Sequence, residues 1–499
     1  MSDKARTRYA PSPTGKPHIG NIRTAIFSYL LARHTGGQFL LRIEDTDRKR
    51  FNEESLDAIM DSLRWLGLDW DEGPGVGGPN GPYFQSERLD LYRKYAEQLI
   101  ENGKAYYAFD RERTEEERKA AEKNPQLSLA YSRQWREATE DERQAALAEG
   151  LTPVVRFKIP LEGTTTVPDI IVSPPTVQNV TIPDHVLLKS DGFPTYHLAH
   201  IVDDHLMQIT HVIRGQEWLP TAPLHVMLYE AFGWEMPVLV HPPVILNPPG
   251  QKGKLSKREN AVYVGQYREL GFLPEALLNY LVLLGWSYDD HTEIFSKAEL
   301  IEKFDVNRIQ PTPAKYSSEK LEWLNGHYIN HILSLEDFTQ RCLPFLLEAN
   351  LISPEEAANP GERLPYITRI CALVKDKAKL LSEVPGEIDF MFRPAAELDY
   401  PADDLVGKNE SKEAAAKILA ASIEYLTKVP EAAFKTATLA DGLSELSTEL
   451  GLKNRGLLFW PVRVALCGRK NSPDAAAMIE AYGREQAIEH FRVAEQKLK

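Results

Sequence analysis

Apolar positions near the start of this chain switch between two periods. Thr7–Ala10 and Gln38–Ile43 read as short extended runs. Between them Ile22, Ala25, Ile26, Tyr29, Leu30 and Arg33 recur at helical spacing, which predicts an amphipathic helix over Ile19–His34. Strand, loop, helix, strand is a βαβ unit, and Glu53–Leu66 supplies a second helix. The expected class is α/β, a doubly wound parallel sheet whose ligands lie beyond the carboxyl ends of the strands.

Turn chemistry at Gly73–Pro82 (GPGVGGPNGP) marks a boundary. A helix follows over Arg88–Asn102, then charged helices within Arg111–Glu149 and a Val-, Ile- and Thr-rich zone over Pro153–Lys189, together an inserted α+β module. Sheet character is expected to resume at Pro194–Met207 and Ile209–Arg214, with helix Thr221–Phe232 and strand Val238–Leu246 returning to the first domain. Beyond Arg258 the pattern is helical, over Pro274–Leu284 and, after the Pro311-Thr-Pro313 break, Leu321–Ile332. From Ser334 amphipathic helices continue, punctuated at Pro354, Pro360-Gly361, Pro385-Gly386 and Pro430.

A length of 499 residues exceeds one core and implies several domains. No apolar run approaches the ~20 residues that cross a bilayer, and the opening Met-Ser-Asp-Lys leads straight into a strand, so neither membrane span nor signal peptide is expected. Cys342, Cys371 and Cys467 are scattered without metal-ligand spacing, which argues against disulfides and suits a reducing cytoplasm. The net charge of −14 argues against a chain coated by nucleic acid, yet Gly451–Lys470 holds Lys453, Arg455, Arg463, Arg469 and Lys470 with no acidic residue. That stretch is either a nucleic-acid contact or the solvated basic edge of a helix pair.

Two distant segments carry the chemistry. Pro11-Ser-Pro-Thr-Gly15-Lys-Pro-His18-Ile-Gly20-Asn21 leads from the first strand into the first helix, where free backbone N–H groups and the helix dipole favour an anion. His18 at the helix mouth can donate to phosphate, or is merely an incidental residue at an ordinary helix start. Gly250-Gln-Lys-Gly-Lys254-Leu255-Ser256-Lys257-Arg258 gathers cations on a Gly-bounded loop, suited to a departing pyrophosphate or, alone, to solvent. Together the two suggest a clamp around ATP.

His18-Ile-Gly-Asn21 and Lys254-Leu-Ser-Lys257-Arg258 resemble the HIGH and KMSKS motifs of class I aminoacyl-tRNA synthetases. Arg8-Tyr-Ala-Pro-Ser12-Pro-Thr-Gly15, Leu41-Arg-Ile-Glu44-Asp-Thr-Asp47, Thr195-Tyr196-His-Leu-Ala-His200, Val202-Asp-Asp-His205 and Arg214-Gly-Gln-Glu217-Trp218 sharpen the likeness to the bacterial glutamyl-tRNA synthetases over about the first 330 residues. The helical remainder resembles that family's anticodon-binding part less specifically.

The resemblance implies a glutamate–tRNA ligase: ATP-dependent activation of L-glutamate to glutamyl-adenylate, then transfer to the terminal adenosine of tRNA-Glu, with tRNA-Gln a second candidate. It implies a Rossmann-type catalytic domain over residues 1–85 and 192–250, an inserted acceptor-end module over 86–191, a mostly helical stem-contact domain over 251–330, and an all-α anticodon-binding region over 331–499 split near 385–400. The implied catalytic residues are His18, Lys254 and Lys257. ATP would be held by Pro11, Gly15, His18, Gly20, Asn21, Glu217, Lys254, Leu255, Ser256, Lys257 and Arg258. Glutamate would be held by Arg8, Ala10, Ser12, Glu44, Tyr196, His200 and Arg214, and tRNA by Lys453, Arg455, Arg463 and Arg469. Glutamate's two carboxylates and one ammonium fit a pocket with two arginines and one carboxylate. Which arginine takes the side-chain carboxylate stays open.

Mg²⁺ is expected with ATP. Zinc is not, because the module shows Tyr106, Tyr107 and Tyr131 and no cysteine precedes Cys342. Asn21 stands where the motif's name has a second histidine, and His200 stands where some relatives have asparagine, which leaves its role open. The family expectation is a cytoplasmic monomer without an obligate protein partner.

Other readings fit less of the chain. A small-molecule nucleotidyltransferase needs neither the inserted module nor the long C-terminal part, and a non-catalytic RNA-binding relative does not need an intact His18 and pocket. A glutaminyl enzyme would end in β-barrels rather than helices, and a truncated tRNA-modifying relative would lack that part.

Overall fold

The computed structural model describes residues 4–111, 113–255, 262–407 and 410–499. They fall into two compact units, the first comprising residues 1–268 and 274–318, the second 269–273 and 319–499. No helix among the described residues is long and apolar enough to cross a membrane.

In the first unit β1 (Arg6–Tyr9) leads through the Pro11–His18 loop into α1 (Ile19–His34), and β2 (Gln38–Leu41) returns parallel to β1, Thr7 opposite Phe39 and Tyr9 opposite Leu41. α2 spans Glu53–Trp65 and α3 Leu89–Glu101. The segment expected as an inserted module pairs β3 (Ala105–Ala108) with β4 (Val154–Phe157), and β4 with β7 (Val186–Leu188), all antiparallel. Within it lie α4 (Glu115–Lys123), α5 (Pro125–Ser132), α6 (Glu140–Ala148) and the hairpin of β5 (Thr164–Thr166) with β6 (Thr176–Gln178). α7 (Tyr196–Leu206), β8 (His211–Ile213), α8 (Ala222–Phe232) and β9 (Val238–Val240) follow, β8 and β9 running parallel. Thr210 joins the two strand pairs: its N–H donates to the Arg6 carbonyl at 2.9 Å, and its carbonyl accepts from Val238 N–H at 2.9 Å. Phe39, Leu40 and Leu41 are fully buried, as expected of a strand covered on both faces.

Three elements depart from the patterning. α1 has the expected bounds but is not amphipathic, for Arg23, Phe27, Ser28 and Leu31 are buried with the apolar stripe. α10 (Pro274–Leu283) and α11 (Lys297–Lys303), reached after α9 (Val264–Glu269), pack on the face turned away from the sheet, and Phe27 stacks on Phe304 at 5.7 Å. Arg23 is tolerated there because its guanidinium donates to the Leu284 carbonyl at 2.6 Å and to the Pro243 carbonyl. Residues 194–207, expected as sheet, form α7. Its β-branched Ile201 and Val202 suggest a strand, but with Leu198 they sit at i, i+3, i+4 and are buried as one helical face. The strand expected over Val238–Leu246 ends at Val240, because Pro242 and Pro243 cannot donate to a ladder.

The second unit is helical throughout its described residues, with longer helices at Leu335–Glu348, Lys412–Lys428, Thr436–Glu449, Gly456–Cys467 and Arg484–Leu498. An α/β domain followed by a helical region is the expected class.

Candidate active site

At the carboxyl ends of β1, β2 and β8 opens a cavity of about 810 Å³. Arg8, Ala10, Pro11, Ser12, Glu44, Tyr196, Arg214 and Trp218 are among its lining residues. A second cavity of about 400 Å³, lined by His18, Gly20, Arg23, Lys254 and Leu255 among others, shares Asn21, Thr24, Gly215 and Glu217 with the first. A ligand could therefore run from one into the other.

Backbone pairing places the first wall. Arg42 N–H donates to the Tyr9 carbonyl and Glu44 N–H to the Pro11 carbonyl, each at 3.0 Å, so the chain leaving β2 lays Glu44 beside Ala10–Ser12. The opposite wall is α7, where Tyr196, His200 and Asp204 recur every fourth residue on one face. Arg8 Nε and Nη2 both donate to the Asp204 carboxylate, at 3.0 and 3.3 Å. Arg42 Nη1 donates to Asp204 at 2.7 Å, and its Nη2 to Glu44 at 3.1 Å. Burial alone would raise the Asp204 carboxyl, but Arg8 and Arg42 hold it well below the usual range. For Glu44 burial wins over Arg42 and Arg8, and its carboxyl is raised to about 7.

Asp203 faces the other way. It accepts from Arg88 Nε at 2.7 Å, Tyr92 hydroxyl at 2.8 Å and Gln85 at 2.9 Å, tying α7 to α3.

Arg214, just past β8, is surrounded differently. Its Nε donates to His241 Nε2 at 2.9 Å, Nη2 to His225 Nδ1 at 3.0 Å, and Nη1 to the Tyr196 hydroxyl at 3.1 Å, with His200 Nε2 at 3.4 Å. Among the described residues no carboxylate lies within ion-pair distance of it. Burial pulls the imidazoles of His200 and His225 well below their ordinary value and lowers His241, so Arg214 is a buried cation in a neutral collar. Tyr196 is stacked between His200 and Trp218, at 4.4 and 4.1 Å.

At the second cavity His18 is the N-cap of α1, and its Nδ1 accepts from Gly20 N–H at 2.9 Å. In the neutral ring that fixes the proton on Nε2, a donor suited to phosphate oxygen. Lys254 Nζ lies 3.2 Å from Glu217 Oε1, both exposed. A Cβ on Gly215 would meet the end of the Glu217 side chain at 2.1 Å and displace that carboxylate. Leu255 is buried, with its N–H donating to the Ile245 carbonyl at 2.9 Å. Ser256, Lys257 and Arg258 lie outside the described residues.

Gly15 is exposed on the loop before α1 and does not line either cavity; neither does His200, which meets Arg214, Tyr196 and the His225 ring. In the second unit Lys453 and Arg455 are exposed ahead of the Gly456–Cys467 helix, and Arg463 is half-buried within it. Arg469 is turned onto the Gly386 carbonyl at 2.8 Å and the Asp389 carboxylate, and Lys470 pairs with Asp404 at 2.9 Å, so that basic stretch is partly neutralised by its own unit. Arg42, Asp204, Trp218, His225 and His241 belong to the site without having been singled out as ligands. Arg42, Asp204 and Trp218 have a signal in their places within the Leu41–Asp47, Val202–His205 and Arg214–Trp218 segments, whereas His225 and His241 have none.

The family described as tRNA synthetases class I (E and Q), catalytic domain, matches residues 4–323, and an anticodon binding domain matches residues 337–494. The chain is 43% identical over 494 residues to a glutamate–tRNA ligase of Dehalococcoides mccartyi, covering 99% of this chain and 98% of that protein. It is 44% identical over 496 residues to that of Chloroflexus aurantiacus, covering 98% and 97%. A crystal structure of a glutamate tRNA ligase from Elizabethkingia meningosepticum in complex with its amino acid superposes with a TM-score of 0.85 at 37% identity, covering 99% of this chain and all of that one.

Proposed function

The chain belongs to the class I tRNA synthetases of the glutamate–tRNA ligase family, and from that premise we propose how its residues divide the work of charging tRNA. The supporting observation is the pair of joined cavities, one with Arg8, Arg214 and Glu44 among its lining residues, the other with His18 and Lys254.

Glutamate occupies the larger cavity. Glu44 takes its ammonium, while Arg8, Arg214 and Tyr196 take its carboxylates, with Ser12 and the Ala10 backbone completing the cup. Among the described residues Arg214 has no carboxylate within ion-pair distance, so a substrate carboxylate there forms a charge-assisted pair with it directly. ATP lies along the smaller cavity against Pro11, Gly20, Asn21, Glu217 and Leu255, with Gly15 on the approaching loop. The glutamate α-carboxylate oxygen attacks the α-phosphorus, the bond to the bridging oxygen of pyrophosphate breaks, and glutamyl-adenylate forms. His18 and Lys254, with Ser256, Lys257 and Arg258, stabilise the charge that moves onto the phosphates. A hydroxyl of the terminal adenosine of tRNA then attacks the glutamyl carbonyl, and AMP departs.

Mg²⁺ prefers substrate phosphates plus one or two carboxylates. Glu217, which lines both cavities, fits as its carboxylate, and the ion would supply charge neutralisation on the phosphates.

Residues 86–191 take the acceptor end, 251–330 the inner stem and 331–499 the anticodon, where Lys453, Arg455, Arg463 and Arg469 supply salt-sensitive phosphate contacts. Whether tRNA-Gln is also accepted rests with that last region. The enzyme is read as a cytoplasmic monomer needing no obligate protein partner.

Pyrophosphate release from ATP tests the reading: it should require glutamate and rise with tRNA, and release supported equally by other amino acids would sink it.

A pH dependence follows from Glu44. The substrate ammonium binds its ionised form, and burial raises the carboxyl to about 7, so binding weakens as pH falls through that value. The KM for glutamate should rise roughly tenfold between pH 8 and pH 6. Steady-state charging across that range checks it, and Glu44→Gln, though weak throughout, should lose the dependence.

A further inference from the structure

Arginine has only donors, so each ring nitrogen that Arg214 meets must be an acceptor. That fixes the protons of the collar. His241 accepts from Arg214 at Nε2 and therefore carries its proton on Nδ1, which lies 2.7 Å from Asp169 Oδ2. His225 accepts at Nδ1 and donates from Nε2 to His197 Nδ1 at 3.1 Å. Asp169 lies between β5 and β6 in the inserted module, far from Arg214 in sequence. Its side chain and that of His241 are fully buried. Its other oxygen, Oδ1, accepts from the N–H groups of Ile171 and Val172 at 2.9 and 3.0 Å. One face of this carboxylate is thus pinned by backbone and the other is committed to His241.

Resting on the reading of Arg214 as a glutamate ligand, we propose that Asp169 and His241 are positioning residues that set the orientation of the Arg214 guanidinium for the substrate carboxylate, Asp169 acting through the tautomer of His241. Asp169 also balances the Arg214 charge at one remove, leaving the guanidinium without a competing anion at the pocket. The alternative is a staple that merely fastens the β5–β6 connection to β9, where Ile170 N–H donates to the Leu239 carbonyl at 3.2 Å.

The two roles separate on substitution. In Asp169→Asn the oxygen stays with the two backbone N–H groups, so the amide NH₂ faces His241 Nδ1. The ring must then carry its proton on Nε2 and oppose the Arg214 Nε–H. In His241→Leu the acceptor is gone, whereas in His241→Gln the side-chain oxygen stands near the position of Nε2.

The test measures KM for glutamate and KM for ATP in charging of tRNA-Glu by the wild-type chain and these three variants, with melting temperatures alongside. Asp169→Asn and His241→Leu should raise the KM for glutamate by about tenfold or more, the scale on which misplaced binding groups act. The KM for ATP should stay within about twofold, and His241→Gln should recover most of the loss. Glutamate KM values within about twofold of wild type in both damaging variants would overturn the relay. So would an equal rise for ATP, or a His241→Gln variant as impaired as His241→Leu, each the mark of a staple. A wild-type chain that attached no glutamate to tRNA would instead overturn the functional reading, and the relay with it.

Discussion

Arg214→Leu is expected to lower kcat/KM for glutamate by about 10⁴-fold, or about 5.4 kcal/mol of transition-state stabilisation, while leaving the fold standing. The size follows from a buried guanidinium whose protein partners are all neutral: His241, His225, His200 and Tyr196. A carboxylate meets it directly only on entering the pocket, so its removal falls chiefly on the substrate. Because Arg214 makes no direct ion pair and Asp169 keeps its bonds to His241 and to the Ile171 and Val172 N–H groups, the melting temperature should fall only slightly. Arg214→Lys keeps the charge but not the planar fork and should recover only part of the activity. Charging kinetics with varied glutamate, set beside a thermal melt, measure both halves. An intact-activity Arg214→Leu variant would remove Arg214 from the pocket's chemistry.

Arg8→Leu should also abolish glutamate activation, but at a cost to stability that Arg214→Leu does not carry. Arg8 is bidentate on Asp204, which is fully buried and otherwise held by Arg42 Nη1 at 2.7 Å. Breaking a buried ion pair by removing one partner strands the other, a loss of about 3 kcal/mol even with Arg42 left in place. The unfolding transition of the first unit should therefore move down in temperature. Adding Asp204→Asn removes the stranded charge and should restore part of that shift without restoring activity. Near-normal activity in Arg8→Leu would refute its assignment, and an unchanged melt would refute the energetics of the Arg8–Asp204 pair.

The contrast between these arginines marks where the sequence was legible. Local signals carried far: the bounds of α1, the His18 loop at its mouth and the parallel return to β2 all follow from periodicity and turn chemistry within forty residues. Arg8, Glu44, Tyr196 and Arg214 were marked by short segments that resemble a family, and one cavity brings them together. What periodicity missed is set by tertiary contact. α1 is buried on every side because α10 and α11 cover the face a lone βαβ unit would expose. α7 was mistaken for strand because Ile201 and Val202 favour sheet in isolation, whereas here Leu198, Ile201 and Val202 bury as a helical face. Asp169 and His241 lie 72 residues apart, and neither stands in a motif, so nothing local announces that one fixes the tautomer of the other. In the basic run near the C-terminus tertiary contact adds partners that the sequence does not show, Asp389 for Arg469 and Asp404 for Lys470.

The most direct test of the whole account is glutamate attachment to purified tRNA-Glu, with tRNA-Gln in parallel, in the presence of ATP and Mg²⁺. Glutamate should become esterified to tRNA-Glu with release of AMP and pyrophosphate, and glutamine should not replace it. No charging of either tRNA by a folded chain that still binds ATP, or attachment of glutamine in place of glutamate, would contradict the account.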